Sequence, residues 1–145
     1  MNKNKFLIDL SESDRTEFGR IDFANQSESQ KTFSAIWELE SEINNGGFEQ
    51  YFRNSDSDII AHAPKALREI GAKACAAIVE SAIQVIAPVP SDSDARCDAL
   101  DAAGKDGEEL LSELDSKFYS YPDDLTDLLF AFVAKHPDEF GAAPT

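Results

Sequence analysis

Two asparagines followed by two glycines, Asn44-Asn45-Gly46-Gly47, separate two runs of apolar residues at helical spacing, and this junction constrains the fold more than any other feature of the chain. Upstream, Phe33, Ile36, Trp37 and Ile43 recur at helical intervals. Downstream, Phe48, Tyr51 and Phe52 fall three and four apart, which puts three aromatic rings on one face within a turn of the glycines. Paired glycines supply positive-φ positions at no steric cost, so the junction predicts a helix that ends, turns and starts again at once. The expected unit is a helical corner pinned by aromatic packing.

The rest of the chain reads as helices set between breakers. Ser27 with Gln30 matches a capping box, so the first long helix should run from about Glu28 to Asn44. Asn54 to Asp58 is a loop rich in capping residues, Ile59 and Ile60 suit a short extra turn, and Pro64 suits the first turn of a helix that reaches Ile70. Gly71 stops it. Ala72 to Ile86 follows as a small-residue helix with Ile78, Ala82, Val85 and Ile86 facing inward, ended by Pro88 and Pro90. Beyond lie a short helix from Asp94 to Ala103, a turn at Gly104 to Gly107, a helix from Glu108 to Tyr119, and a last helix from Asp123 to Lys135. No segment shows sustained strand alternation and no heptad persists. The fold class expected is all-α, a compact single-domain array of several helices.

A chain of 145 residues fits one domain. Residues 1–28 show no sustained period and are expected to form a partly ordered N-terminal arm, with the helical domain at 29–141. Cys75 and Cys97 have no C-x-x-C spacing and read as free thiols in a reducing compartment. With no apolar run long enough for a signal peptide or a bilayer span, a cytoplasmic location is the default. The formal charge of −15 is the outlier. Such a chain should avoid nucleic acid and anionic membranes and attract basic surfaces.

Motifs for chemistry fail on inspection. Asn54, Asp56 and Asp58 resemble the opening of a calcium loop, but Ile59 replaces its glycine and Lys65 its bidentate glutamate. Gly104-Lys105 lacks the surrounding residues of a phosphate-cradling loop. His62 and His136 have no metal-ligand or nucleophile spacing. No cofactor, metal or catalytic residue is expected, and the chain reads as a non-enzyme. An enzyme built on an unrecognised polar pocket would require a concave site holding a carboxylate of perturbed pKa.

The order Glu-x-x-x-Asn-Gly-Gly-Phe-x-Gln-Tyr-Phe-x-Asn, approximated here by Glu42 to Asn54, resembles the signature of a small bacterial all-helical family of DNA-mimic proteins. The resemblance continues through Ala66 to Ala72, through Leu114, Asp115, Lys117, Phe118 and Tyr119, and through His136 to Phe140. Ser57 and Pro64 depart from the pattern. The resemblance implies an acidic protein that binds a basic DNA-binding protein, such as a transcriptional repressor, and competes with its operator. It also implies a homodimer, for which an exposed apolar strip around Phe130 and Phe132 is the expected contact.

The charge distribution bears on this implication. Residues 92–145 hold 14 acidic and 4 basic side chains, against 14 and 9 in residues 1–91. Asp92, Asp94, Asp98 and Asp101, then Asp106, Glu109 and Glu113, then Asp123, Asp124 and Asp127 fall in three helical stretches and form the candidate partner-binding face. Carboxylates on adjacent turns sit roughly 5–6 Å apart, a spacing comparable with that of phosphates along a strand. The bland reading is that first-turn acids favour helix dipoles and keep a small protein soluble. A second candidate is the corner itself: Asn45, Gly46, Gly47, Phe48, Gln50, Tyr51, Phe52 and Asn54. Its polar side chains either line a binding surface or satisfy backbone groups at the turn.

Overall fold

The structure, a computed structural model, describes residues 2–12 and 22–140. Among them are seven helices and no strand: α1 Lys3–Glu12, α2 Glu28–Asn54, α3 Ser57–Glu69, α4 Lys73–Ile83, α5 Ser93–Tyr119, α6 Leu125–Lys135 and α7 Pro137–Phe140. The all-α expectation holds. Helix α2 is the central element, packed against α3 and α5, while α4 bridges α3 and α5, and α1 lies on α6. Ser27 closes the expected capping box with Gln30 at the start of α2.

Apolar spacing on α2 determines what it buries. Phe33, Ile36, Leu39 and Ile43 from its first half and Phe48, Tyr51 and Phe52 from its second are all buried. Leu67, Cys75, Val79, Leu111, Leu114, Phe118, Leu129 and Val133 complete one continuous core. Edge-to-face contact between Phe48 and Phe118, with ring centres 6.2 Å apart, joins α2 to α5.

The N-terminal arm contains α1, whose Leu7 and Leu10 are buried; residues 13–21 of that arm lie outside the described residues. Four expectations about the elements are corrected. Pro64 sits inside α3 instead of in its first turn, and Ile59 and Ile60 belong to the same helix. An interior proline costs about 3 kcal/mol, which is offset by the apolar face of Ile60, Ala63, Ala66 and Leu67 that α3 buries as one unit. On α4 the buried phase runs through Cys75, Ala76, Val79 and Ala82, leaving Ile78 and Val85 only partly buried. The two helices expected on either side of Gly104–Gly107 form the single element α5, bent only at Gly104 (φ +65°). Finally, the strip around Phe130 and Phe132 is not exposed. Phe132 is buried, and Phe130 meets Phe6 of α1 edge to face at 5.5 Å with the Lys3 ammonium over its ring.

One buried cation ties the end of α2 to the start of α5. Arg96 is 3% exposed and makes four hydrogen bonds, all to main-chain carbonyls. Its Nε donates to Phe52 O (2.8 Å), its Nη2 to Ser55 O (2.7 Å), and its Nη1 to Pro90 O and Ser91 O. Positive charge is favoured at the C-terminal end of α2, where helix carbonyls lack amide partners. Arg96→Met should lower unfolding free energy by about 3 kcal/mol, because the buried carbonyls lose their donor. Arg96→Lys should recover little, since one ammonium cannot reproduce the planar fork. Urea unfolding of the variants checks this; a loss well under 1 kcal/mol would contradict it.

Candidate functional site

The corner forms where the sequence places it. Helical φ/ψ angles fail only at Gly46 (φ −161°, ψ 18°) and Gly47 (φ +76°, ψ −173°), and helix resumes at once. Such a break orphans carbonyls at the end of the first half and amides at the start of the second. Helix α5 supplies partners to both. Asp115 Oδ1 accepts from Phe48 N at 2.8 Å, and Tyr119 Oη donates to Ile43 O at 2.6 Å. Asp115 and Tyr119 are four residues apart, so one face of α5 reaches both sides of the corner. The Asp115 charge also suits the N-terminal end of the resumed helix.

Side chains strap the corner from within. Gln50 Nε2 (2.8 Å) and Asn54 Nδ2 (3.2 Å) both donate to Glu42 Oε2, linking the second half of α2 back to the first. Asn44 Nδ2 donates to Tyr121 Oη at 2.9 Å. Gly47 needs its positive φ, and a Cβ there would lie 3.0 Å from Asp115 Cγ. The rings of Phe48, Tyr51 and Phe52 are fully buried, whereas Asn45 and Gly46 are exposed. The expectation that the corner's polar side chains satisfy its backbone is corrected for Gln50 and Asn54: they donate to the Glu42 carboxylate, while Asp115 and Tyr119 of α5 satisfy the backbone.

The candidate acidic face divides by environment. Asp92 immediately precedes α5, Asp94, Asp98 and Asp101 lie on it before its bend, and Asp106, Glu109 and Glu113 after it, and all are exposed. Asp92 caps the helix through Ala95 N, and Asp101 lies 3.8 Å from the Arg53 guanidinium. Asp94, Asp98, Asp106, Glu109 and Glu113 have no cation partner among the described residues. The third group serves the fold instead. Asp123 is partly buried and accepts from Cys75 N (2.9 Å) near the start of α4, Asp124 caps α6 through Asp127 N, and Asp127 pairs with Lys3 at 2.9 Å. Sequence spacing cannot separate a capping aspartate from a free one, because both favour first turns.

Residues outside the predicted sites organise them. Arg96 is the one cation within the Asp92–Asp101 run, a detectable signal, and Asp115 and Tyr119 stand four apart in a stretch that resembles the family. Burial raises the pKa of Asp115, the Phe48 amide offsets part of that rise, and nearby Glu49 adds to it. Glu40 is likewise raised, first by burial and then by Asp124. Burial pushes the Cys75 thiol up to about 11, which makes it a poor nucleophile at neutral pH. Neither Glu40 nor Asp115 lines any of four surface cavities found between the helices. Among the described residues no group of three His, Cys, Asp or Glu side chains could hold a metal ion. No helix there is long and apolar enough to cross a membrane.

An all-helical fold, a clamped Asn-Gly-Gly-Phe corner and a carboxylate-rich α5 define an acidic helical domain of the kind the signature resembles. The model of the DMP19-like protein family matches residues 24–136, and the chain belongs to that family. Neither the curated proteins nor the solved structures contain a significant match.

Three outcomes follow from this geometry. Gly71, at φ +87°, has open space where a Cβ would stand, so Gly71→Ala should cost about 1–2 kcal/mol for the left-handed backbone alone. Gly47→Ala should cost more, because it also displaces Asp115; equal losses in urea unfolding would count against the clamp. Asp123→Ala should destabilise the fold by about 1 kcal/mol through the lost cap at α4. For Glu40 and Asp115, the folded-state pKa exceeds the unfolded one, so the folded chain holds more protons just above the ordinary carboxylate range, and their contribution falls as pH rises through that window. Glu40→Gln should therefore gain stability relative to wild type at about pH 7 but not at about pH 4.

Proposed function

We propose that this protein is a non-enzymatic, cytoplasmic binder of a basic DNA-binding protein, and that α5 takes the place of DNA phosphates on that partner. The observation that carries this reading is the series Asp94, Asp98, Asp106, Glu109 and Glu113, exposed along one helix without cation partners among the described residues. Phosphate contacts position a DNA-binding protein without reading sequence. Carboxylates a helical turn apart can therefore engage the same lysines and arginines while offering no base edges. An exposed ion pair contributes only about 0.2–1 kcal/mol, so useful affinity requires several acting together. A transcriptional repressor would then be displaced from its operator by competition.

Family membership supports the class of activity, and the internal engagement of Gln50, Asn54, Asp115 and Tyr119 supports a structural role for the corner. The orientation of α5 is set by that corner at one end and by Arg96 at the other.

The test is capture of partners from a lysate of the source cells by the tagged protein, at low and moderate salt, with identification by mass spectrometry. A basic DNA-binding protein released by salt or by its own duplex is the expected result. The Asp94→Asn, Asp98→Asn, Asp101→Asn triple variant should then bind at least tenfold more weakly and show a shallower salt dependence. Unchanged affinity and salt dependence in that variant would refute the reading.

A further inference from the structure

Away from α5, a cavity of about 220 Å³ opens between the end of α1 at Ser11, α2, the start of α3 and the 3-10 turn Phe23–Asn25. Phe23, Phe33, Trp37 and Ile59 form its apolar wall, and Glu38 and Gln26 are among its polar lining. The Phe33 and Trp37 rings stack with an interplanar angle of 10° and centres 5.5 Å apart. Small-molecule pockets usually enclose roughly 300–1,000 Å³, so this cavity suits a small group or the end of one side chain.

The one carboxylate among the described residues of this wall is held in place. Glu38 Oε1 accepts from Ser55 Oγ at 3.0 Å, Ser55 is 1% exposed, and its carbonyl in turn accepts from buried Arg96. An aromatic wall beside an oriented carboxylate has the chemistry of a cation receptor: ring faces attract positive charge and the carboxylate neutralises it. The protein already uses part of this wall in that way. Lys31 Nζ, which does not line the cavity, lies 5.7 Å from the centre of the Phe23 ring. The Tyr51 hydroxyl is buried without a hydrogen-bond partner among the described residues, and burial first, then the Glu38 charge, opposes its ionisation.

We propose that this cavity is a binding site for one alkylammonium group, with Glu38 as its counter-ion and Trp37, Phe33 and Phe23 as its aromatic wall. The ligand is a small free amine or the lysine end of a peptide. The site is independent of α5 and stands whether or not α5 binds a partner.

Trp37 is the only tryptophan in the chain, so its fluorescence reports on the cavity directly. The experiment titrates the intact protein with butylammonium chloride, N-acetyl-lysine methylamide and butanol at constant ionic strength. Saturable fluorescence changes with either ammonium probe and none with butanol are expected; the tighter of the two ammonium probes identifies the source of the ligand. Glu38→Gln, which retains an oxygen for Ser55, should weaken binding at least tenfold. Should that variant fail to fold, amide and indole shifts in two-dimensional NMR of the unaltered protein decide the matter, with butylammonium expected to move Trp37 and its cavity neighbours. An equal response to butanol, a non-saturating response, shifts scattered over the acidic surface, or full affinity in Glu38→Gln would overturn the proposal.

Discussion

The break in α2 at Gly46–Gly47 is the constraint on which the rest of the structure depends. It folds the longest apolar stripe of the chain back on itself, so that Ile36, Leu39 and Ile43 on one side and Phe48, Tyr51 and Phe52 on the other enter the same core. A break in a helix leaves polar backbone in a buried region, where an unmet hydrogen bond costs about 1–3 kcal/mol. Asp115 and Tyr119 remove that cost for Phe48 N and Ile43 O, and in doing so they fix where α5 lies. The corner and the acidic helix are therefore one mechanical unit.

The same unit explains how so acidic a chain folds. Its carboxylates are sorted by geometry: some cap helices, as Asp92, Asp115, Asp123 and Asp124 do, and others stand in water where repulsion is screened. The buried cation Arg96 has carbonyl partners in place of a carboxylate, drawn from the end of α2 and the Pro90–Ser91 approach to α5. A positively charged anchor at the head of a negatively charged helix holds the exposed row to the body of the protein without neutralising the row itself.

Most of the helical architecture was legible in the sequence because its signals are local. The Ser27–Gln30 capping box and the glycine corner both depend on residues within one or two turns of each other. The misreadings arose where distant packing outweighed local preference. Pro64 is tolerated inside α3 because the buried face continues through it, Gly104 bends α5 instead of ending it, and the Phe130 strip is covered by a helix more than a hundred residues away in sequence. Of the candidate sites, the residue types of the corner and the acidity of α5 were visible. The division of aspartates into caps and exposed charges was not, since Asp123 is identified as a cap only by the Cys75 amide it meets across the fold.

By itself, then, the sequence determined an all-helical chain with a corner at Gly46–Gly47, a family signature and a surplus of negative charge toward its C-terminal third. Those properties follow from backbone freedom, short-range periodicity and composition. Only the tertiary structure decided which carboxylates remain free, that Asp115 and Tyr119 hold the corner, that Arg96 anchors α5, and that Trp37 and Glu38 share a cavity wall. Each of these is a contact between residues remote in sequence or a matter of access to solvent, and neither is set until the helices have packed.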